Sequence, residues 1–167
     1  MELYILRHAI AVTRGTAGFP QDSERPLTDA GRAKLRRVVR GMNALGLGFD
    51  LILSSPSVRA RQTAQDVASQ MGAEKKLRLT PHLAPDGDPR ALVRQIASLG
   101  AASGRILLVG HEPCLSELIS LLVSGDARTA ITLKKAGLCK LTVQRLRHGR
   151  CAVLEWLLTP GQMERIR

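Results

Sequence analysis

Two short apolar segments of this chain each run directly into a histidine. Residues 3–6 lead into Arg7 and His8, and residues 106–109 lead through one glycine into His111. The chain has only 4 histidines, so two of them at the ends of predicted strands constrain the fold. Ligands of open α/β sheets bind at the carboxyl ends of the strands, and we therefore expect both histidines at one edge of a parallel sheet.

A third apolar segment brings another arginine to this edge. Residues 51–53 are followed by Ser54, Ser55 and Pro56, and then by Arg59. Neighbouring positions in one sheet would place four basic side chains in one pocket, namely Arg7, His8, Arg59 and His111. Two imidazoles and two guanidiniums with few carboxylates nearby favour a site for a phosphoryl group, because guanidinium matches phosphate geometry.

The order of the predicted elements indicates an α/β fold. Strand and helix patterns alternate over most of the chain, which is typical of a parallel sheet covered on both faces. Residues 138–146 and 152–158 instead predict two strands joined by a turn. We therefore predict a three-layer α/β/α sandwich with a mostly parallel central sheet and an antiparallel edge hairpin. The length of 167 residues fits a single domain over residues 1–167.

Capping residues predict where the helices begin. Thr28 is a suitable cap for the first helix, and Asp88 for the third. Ser55 is predicted to cap the second helix with Pro56 in its first turn, a favoured pairing.

The composition is strongly basic, with 25 Lys and Arg against 14 Asp and Glu and a formal net charge of +11. Such a charge can steer anionic substrates or acidic protein partners, although genome composition explains an arginine excess equally well. Aromatic residues make up only 2%, which argues against nucleic-acid binding by base stacking.

The cysteines indicate a reducing compartment. Cys114, Cys139 and Cys151 are odd in number and lack CxxC spacing, so a full disulfide framework is excluded. There is no basic leader and no long apolar run, which predicts neither a secretory signal nor a membrane span. We expect a cytoplasmic protein.

Arg7 and His8 have a functional and a structural interpretation. A buried guanidinium requires an anionic partner, which is either a bound phosphate or a structural carboxylate. With a phosphate present, His8 is a candidate nucleophile, since neutral imidazole attacks phosphorus well. Otherwise it is a hydrogen-bonded core histidine.

The other two basic residues favour the phosphate interpretation. Arg59 lies in the first turn of a predicted helix, where the helix dipole disfavours a cation and favours an anion. An anion between Arg59 and the free N–H groups explains this placement. His111 can donate a hydrogen bond to a phosphoryl oxygen, or it can be a structural histidine or a metal ligand. A metal is disfavoured because Glu112 alone is a weak ligand set.

Two further matches to catalytic patterns are assigned no function. Arg147 and His148 repeat the Arg-His dipeptide, but they fall in the predicted hairpin turn. Cys139 and Arg145 match the Cys-x5-Arg pattern of cysteine-dependent phosphatases. That mechanism needs a tight loop of backbone N–H groups, whereas the intervening residues alternate like a strand.

Four motifs together resemble the histidine phosphatase superfamily. They are Arg7-His8-Ala9, the segment from Ser54 to Ala64 with Arg59, Gly110-His111-Glu112-Pro113, and Arg25-Pro26-Leu27-Thr28 followed by Gly31. The short length, Ala9 in place of the usual glycine and the Gly-His-Glu-Pro form are most similar to the SixA-type phosphohistidine phosphatases. The resemblance implies a phosphoglycerate mutase-like fold.

The resemblance also implies the roles of the site residues. His8 would be the nucleophile that forms a phosphohistidine intermediate. Arg7, Arg59 and His111 match the set that holds the phosphoryl group, and Arg25 would bind substrate. The reaction implied needs no metal and no other cofactor.

The chain departs from the family in its general acid. Many members use a carboxylate between the second arginine and the second histidine, but residues 81–88 contain no glutamate. The possible general acids are Asp86, Asp88 and His82. An alkoxide leaving group needs a proton, whereas an imidazole with a protonated ring leaves a phosphoramidate as a neutral molecule. The missing acid therefore favours a substrate with a P–N bond.

These observations predict a phosphohistidine phosphatase that acts on a phosphorylated protein histidine, such as that of a histidine-phosphotransfer-type domain. One alternative is a phosphatase of a small phosphomonoester or nucleotide that uses the same site. A non-catalytic phosphate-binding module is a further alternative. We expect no membrane partner.

Overall fold

The computed structural model describes residues 1–99 and 104–167 and contains a six-stranded sheet. The strands are β1 (Glu2–Arg7), β2 (Leu51–Ser54), β3 (Leu77–Leu79), β4 (Arg105–Gly110), β5 (Leu138–Val143) and β6 (Ala152–Leu158). The α-helices are α1 (Asp29–Ala44), α2 (Val58–Gln70), α3 (Pro89–Ser98), α4 (Cys114–Ser124) and α5 (Pro160–Met163). Short 3₁₀ turns lie at Asp22–Glu24, Glu74–Lys76 and Pro81–Leu83.

The strand order across the sheet is β3-β2-β4-β1-β5-β6. The first four strands in this order are parallel to one another, and β5 is antiparallel to both β1 and β6. This confirms the predicted mixed sheet with an antiparallel hairpin at one edge. The predicted hairpin strand over residues 138–146 is too long, because β6 begins only at Ala152, which pairs with Val143.

Two apolar layers cover the two faces of the sheet. One layer packs α1, α2 and α5 against it, with Leu35 and Val67 among the fully buried residues. The other packs α3 and α4 against the opposite face, with Ile96 and Leu118 in contact with the strands. The α/β/α sandwich is confirmed. Alternate strand residues enter opposite layers, so β1 sends Leu6 to one and Ile5 to the other.

Two of the three predicted helix caps agree with the structure. The Thr28 hydroxyl accepts the N–H of Gly31 at 3.0 Å, and the Asp88 carboxylate accepts the N–H of Arg90 at 2.8 Å. The cap predicted for α2 is wrong, since that helix begins at Val58 and its N-cap is Ser57. Ser55 precedes the helix and makes a contact across the sheet instead.

In the described residues, no helix is both long enough and apolar enough to cross a membrane.

The start of α1 lies against the chain that leaves β1. The carbonyl oxygen of Ile10 accepts the N–H of Thr28 at 3.0 Å. Gly31 is buried here, and a Cβ atom at this position would overlap that same carbonyl oxygen. The absence of a side chain at Gly31 therefore permits helix and loop to approach, and this packing fixes the segment just after His8.

We predict that Gly31→Ala destabilises the protein by about 1–3 kcal/mol, because backbone atoms must move to accommodate the methyl group. Urea unfolding followed by circular dichroism measures this change. Gly161→Ala is the matched control, since no atom lies within 4 Å of the added Cβ, and it should change stability by no more than about 0.5 kcal/mol. Equal stability of the two variants would contradict the packing argument.

Candidate active site

The pairing of β1 with β4 places the two histidines side by side. Arg7 is in register with Gly110, and the backbone N–H of His8 donates to the carbonyl of Gly110 at 3.1 Å. The rings of His8 and His111 follow directly, with their centroids 5.1 Å apart. Both residues are buried, with exposures of 6% and 2%.

A cavity of about 320 Å³ opens at this edge of the sheet. Its lining includes all four basic residues predicted to converge, together with Arg25. The full lining is Arg7, His8, Arg14, Asp22, Arg25, Arg59, Pro85, His111, Glu112 and Lys135. Its five arginine and lysine side chains against two carboxylates favour an anionic ligand, and we call this cavity the anion pocket.

His8 presents an unprotonated nitrogen to this cavity. Its Nδ1 lies 2.7 Å from the carbonyl oxygen of Ala9, which can only accept, so Nδ1 carries the proton. Nε2 is then the lone-pair nitrogen, and Nε of Arg59 donates to it at 3.3 Å. Burial lowers the pKa of His8 to about 4, and the charges of Arg59 and Arg7 act in the same direction against the opposing Ala9 carbonyl. The ring is therefore neutral near neutral pH.

His111 is neutral for similar reasons. Burial lowers its pKa to about 3, with the positive charge of Arg59 as the next cause. Its Nε2 lies 2.9 Å from Oγ of Ser55. Its Nδ1 is buried and makes no hydrogen bond within the described residues.

Arg7 has spare hydrogen-bonding capacity. Its Nη1 donates to the carbonyl of Leu133 at 3.0 Å, in the segment before β5. Its Nε is buried and has no partner in residues 1–99 and 104–167. An unsatisfied buried donor on a guanidinium is costly, and an anion in the cavity would satisfy it.

Arg59, in contrast, already holds a carboxylate. Its side chain is 5% exposed, its Nη2 lies 2.9 Å from Asp22 Oδ2, and Nη1 also donates to the backbone carbonyl of Asp22. Asp22 further pairs with Arg14 at 2.9 Å and with Arg25 at 2.8 Å. Burial alone would raise the pKa of Asp22, but hydrogen bonds from Arg14 and Arg25 outweigh it and lower the value to about 2. The pocket thus contains a permanent internal anion.

The structure separates the three possible general acids. Asp86 lines an adjoining cavity of about 440 Å³ that shares Arg14, Asp22 and Pro85 with the first one. Asp88 caps α3 and lines neither cavity. His82 lies in the 3₁₀ turn at Pro81–Leu83 and also lines neither. Of the three, only Asp86 lies beside the anion pocket.

The residues assigned no function lie elsewhere. Arg147 and His148 fall in the connection between β5 and β6. Because the end of β5 pairs with the start of β1, this connection lies at the opposite end of the strands from His8. Cys139 is fully buried within β5, and burial raises its pKa to about 12. No thiolate forms there near neutral pH.

The sequence did not identify Arg14, Asp22 and Lys135 in the pocket, nor Ser55 as a partner of His111. Asp22 and Lys135 lie in irregular segments, where spacing gives no orientation of a side chain. The one usable signal for Asp22 was its position three residues before Arg25, within reach of an ion pair. In the described ranges, no group of three or more His, Cys, Asp and Glu residues could hold a metal ion.

Comparisons with known proteins identify the family of this chain. A sequence profile of the histidine phosphatase superfamily (branch 1) matches residues 3–84. An uncharacterized protein of Picosynechococcus sp. is 39% identical over 148 residues, 84% of each chain. Phosphohistidine phosphatase SixA of Escherichia coli (strain K12) is 25% identical over 167 residues, which cover 98% of this chain and 97% of that one.

Solved structures share the fold. The protein histidine phosphatase SixA complexed with tungstate superposes with a TM-score of 0.83 at 23% identity, covering 96% of this chain and 98% of that chain. A phosphoglycerate mutase from Bacillus anthracis superposes with a TM-score of 0.71 at 15% identity, covering 98% and 95%. The predicted phosphoglycerate mutase-like fold is confirmed.

The chain belongs to the histidine phosphatase superfamily. Within that superfamily it is of the SixA type, as the resemblance in its motifs predicted.

We predict that the ring of His8 remains neutral from pH 8 to pH 5 and takes up a proton near pH 4. NMR titration of the ring signals measures this, with His8→Ala to assign them. Because the unfolded chain takes up this proton near pH 6.5, burial of His8 makes the folded state less stable as pH falls from about 6.5 to 4. A midpoint near 6.5 in the folded protein would contradict the burial argument.

Proposed function

We propose that this protein is a phosphohistidine phosphatase that uses His8 as its nucleophile. The observation that carries this proposal is the orientation of His8. Its N–H proton is held by the carbonyl of Ala9, so Nε2 is unprotonated; this nitrogen accepts a 3.3 Å hydrogen bond from Arg59, and His8 lines the cavity together with Arg7 and Arg59. A neutral nucleophile next to two guanidiniums suits attack on a bound phosphoryl group.

The proposed reaction has two steps. In the first, Nε2 of His8 attacks phosphorus, the P–N bond to His8 forms, and the bond to the leaving group breaks with its electron pair going to that group. Arg7, Arg59 and His111 hold the phosphoryl oxygens as charge develops on them. In the second, water attacks phosphorus and loses a proton to solvent, the P–Nε2 bond breaks with its electron pair returning to Nε2, and inorganic phosphate leaves.

The carboxylates of the pocket favour a nitrogen leaving group. Asp22 is held ionised by its arginines, so it has no proton to give. The Glu112 carboxylate accepts the N–H of Ser116 at 3.1 Å at the start of α4. An alkoxide would therefore leave without a proton from Asp22, whereas a protonated imidazole leaves as a neutral ring. This supports phosphohistidine as the substrate.

The surroundings of the pocket support a protein substrate. The Arg14 side chain at the cavity is 81% exposed, Lys135 lines the same cavity, and the net charge is +11. A cationic rim attracts an acidic partner and raises its rate of encounter. We propose a phosphorylated histidine on a protein such as a histidine-phosphotransfer-type domain, without a metal or other cofactor.

One observation favours a second candidate function. Asp86 lines the cavity that adjoins the anion pocket. A carboxyl group there could protonate an alkoxide, so a small phosphomonoester or nucleotide is the alternative substrate for the same nucleophile and arginines. The two candidates differ in whether Asp86 is needed.

We predict that the wild-type protein releases phosphate from a phosphohistidine-bearing protein much faster than from p-nitrophenyl phosphate, in the presence of EDTA. His8→Ala should reduce release to the background rate, because it removes the attacking nitrogen. His148→Ala is the matched control, since it changes another histidine that follows an arginine, and it should leave the rate unchanged. An enzyme-coupled phosphate assay at neutral pH suits both substrates, because phosphohistidine hydrolyses in the acid of molybdate reagents.

The other outcomes separate the alternatives. Comparable turnover of the ester, lost in Asp86→Asn but kept in Asp88→Asn, would favour the phosphomonoester phosphatase. Asn retains the helix cap at position 88, so that variant changes only the charge. Loss of release from phosphohistidine when EDTA is added would contradict a metal-free reaction. Phosphate binding without turnover of either substrate would favour a binding module.

A further inference from the structure

Ser55 makes a contact that connects α2 with the second histidine of the pocket. It is fully buried at the exit of β2. Its Oγ accepts the backbone N–H of Ser57 at 3.2 Å and lies 2.9 Å from Nε2 of His111. In the part of the chain that the structure describes, these are the two hydrogen bonds of this hydroxyl.

The hydroxyl proton of Ser55 has one available acceptor among the described residues. A serine hydroxyl offers one proton and two lone pairs. The N–H of Ser57 occupies a lone pair, and Nε2 of His111 is the remaining partner. If Nε2 carried a proton, the Ser55 O–H would be buried without an acceptor, which is costly. The arrangement that satisfies both groups has the Ser55 hydroxyl donating to an unprotonated Nε2.

This contact also decides where the proton of His111 lies. A neutral imidazole has one N–H and one lone pair, so an accepting Nε2 leaves the proton on Nδ1. Nδ1 is buried and has no protein partner among the described residues, and the ring lines the anion pocket. Nδ1–H is therefore a hydrogen-bond donor without an acceptor among the described residues.

We propose that Ser55 is a positioning residue that holds His111 as the Nδ1–H tautomer, so that a neutral ring donates a hydrogen bond to a bound phosphoryl oxygen. The identity of the acceptor rests on the proposed function, whereas the tautomer does not. The pocket then contains two histidines with the same tautomer and opposite roles. In His8, Nδ1–H donates to the Ala9 carbonyl and Nε2 carries the lone pair. In His111, Nε2 accepts from Ser55 and Nδ1–H is the free donor.

The tautomer is tested by long-range ¹H–¹⁵N correlation spectra of the ring nitrogens at neutral pH, with His111→Ala to assign the signals. In the wild type we expect the proton of His111 on Nδ1. In Ser55→Ala the signal should move towards a mixture of the two tautomers. A wild-type spectrum with the proton on Nε2 would overturn the proposal, whether or not the protein has phosphatase activity.

The consequence for binding is tested with inorganic phosphate by isothermal titration calorimetry. Ser55→Ala should weaken phosphate binding about tenfold, the factor expected for one lost hydrogen bond. Ser54→Ala is the matched control, because it removes a neighbouring buried hydroxyl that donates to the carbonyl of Ser55 and does not touch His111. It should change the affinity by less than about twofold.

A conservative variant separates positioning from packing. Ser55→Thr keeps the hydroxyl and should restore most of the affinity and the Nδ1–H signal. Unchanged phosphate affinity in Ser55→Ala, with the His111 proton still on Nδ1, would overturn the role of Ser55. Failure of the wild type to bind phosphate would count against the proposed function alone, because the spectra still report the tautomer.

Discussion

The hydrogen bonds on both sides of β4 hold the site together. The N–H of His8 donates to the carbonyl of Gly110 on one side, and the N–H of Ser55 donates to the carbonyl of Val109 on the other, at 3.1 and 3.0 Å. These bonds extend the two parallel ladders by one residue beyond the strands. A shift of one residue in either ladder would turn the side chains to the opposite face, and His8, Ser55 and His111 would no longer meet.

The positions of the four basic residues could be predicted because they depend on local signals. Apolar runs mark strands, parallel strands bring their carboxyl ends together, and the first turn of a helix favours an anion. Arg59 shows how far this reasoning extends. The sequence predicts an anion between Arg59 and the free N–H groups of the helix, and the structure places the carboxylate of Asp22 2.9 Å from the Arg59 guanidinium.

The remaining features depend on contacts distant in sequence. Asp22 lies in the long segment between β1 and α1, where no periodicity orients side chains. Ser55 has the composition of a helix cap, but its partner is His111, 56 residues away, and tertiary structure overrides the local preference. Similarly, Arg7 donates to the carbonyl of Leu133. Leu133 lies near Arg7 because β5 is antiparallel to β1, so that β5 begins where β1 ends.

The internal carboxylate of Asp22 has a consequence for turnover in the proposed reaction. Arg59 is nearly inaccessible to solvent and would be unstable as a bare charge whenever the pocket is empty. Because Asp22 stays beside it, the departure of inorganic phosphate leaves no isolated guanidinium behind. The same negative charge limits how tightly the product is held. In the proposed reaction, Asp22 would therefore lower the affinity for phosphate and keep Arg59 paired after each turnover.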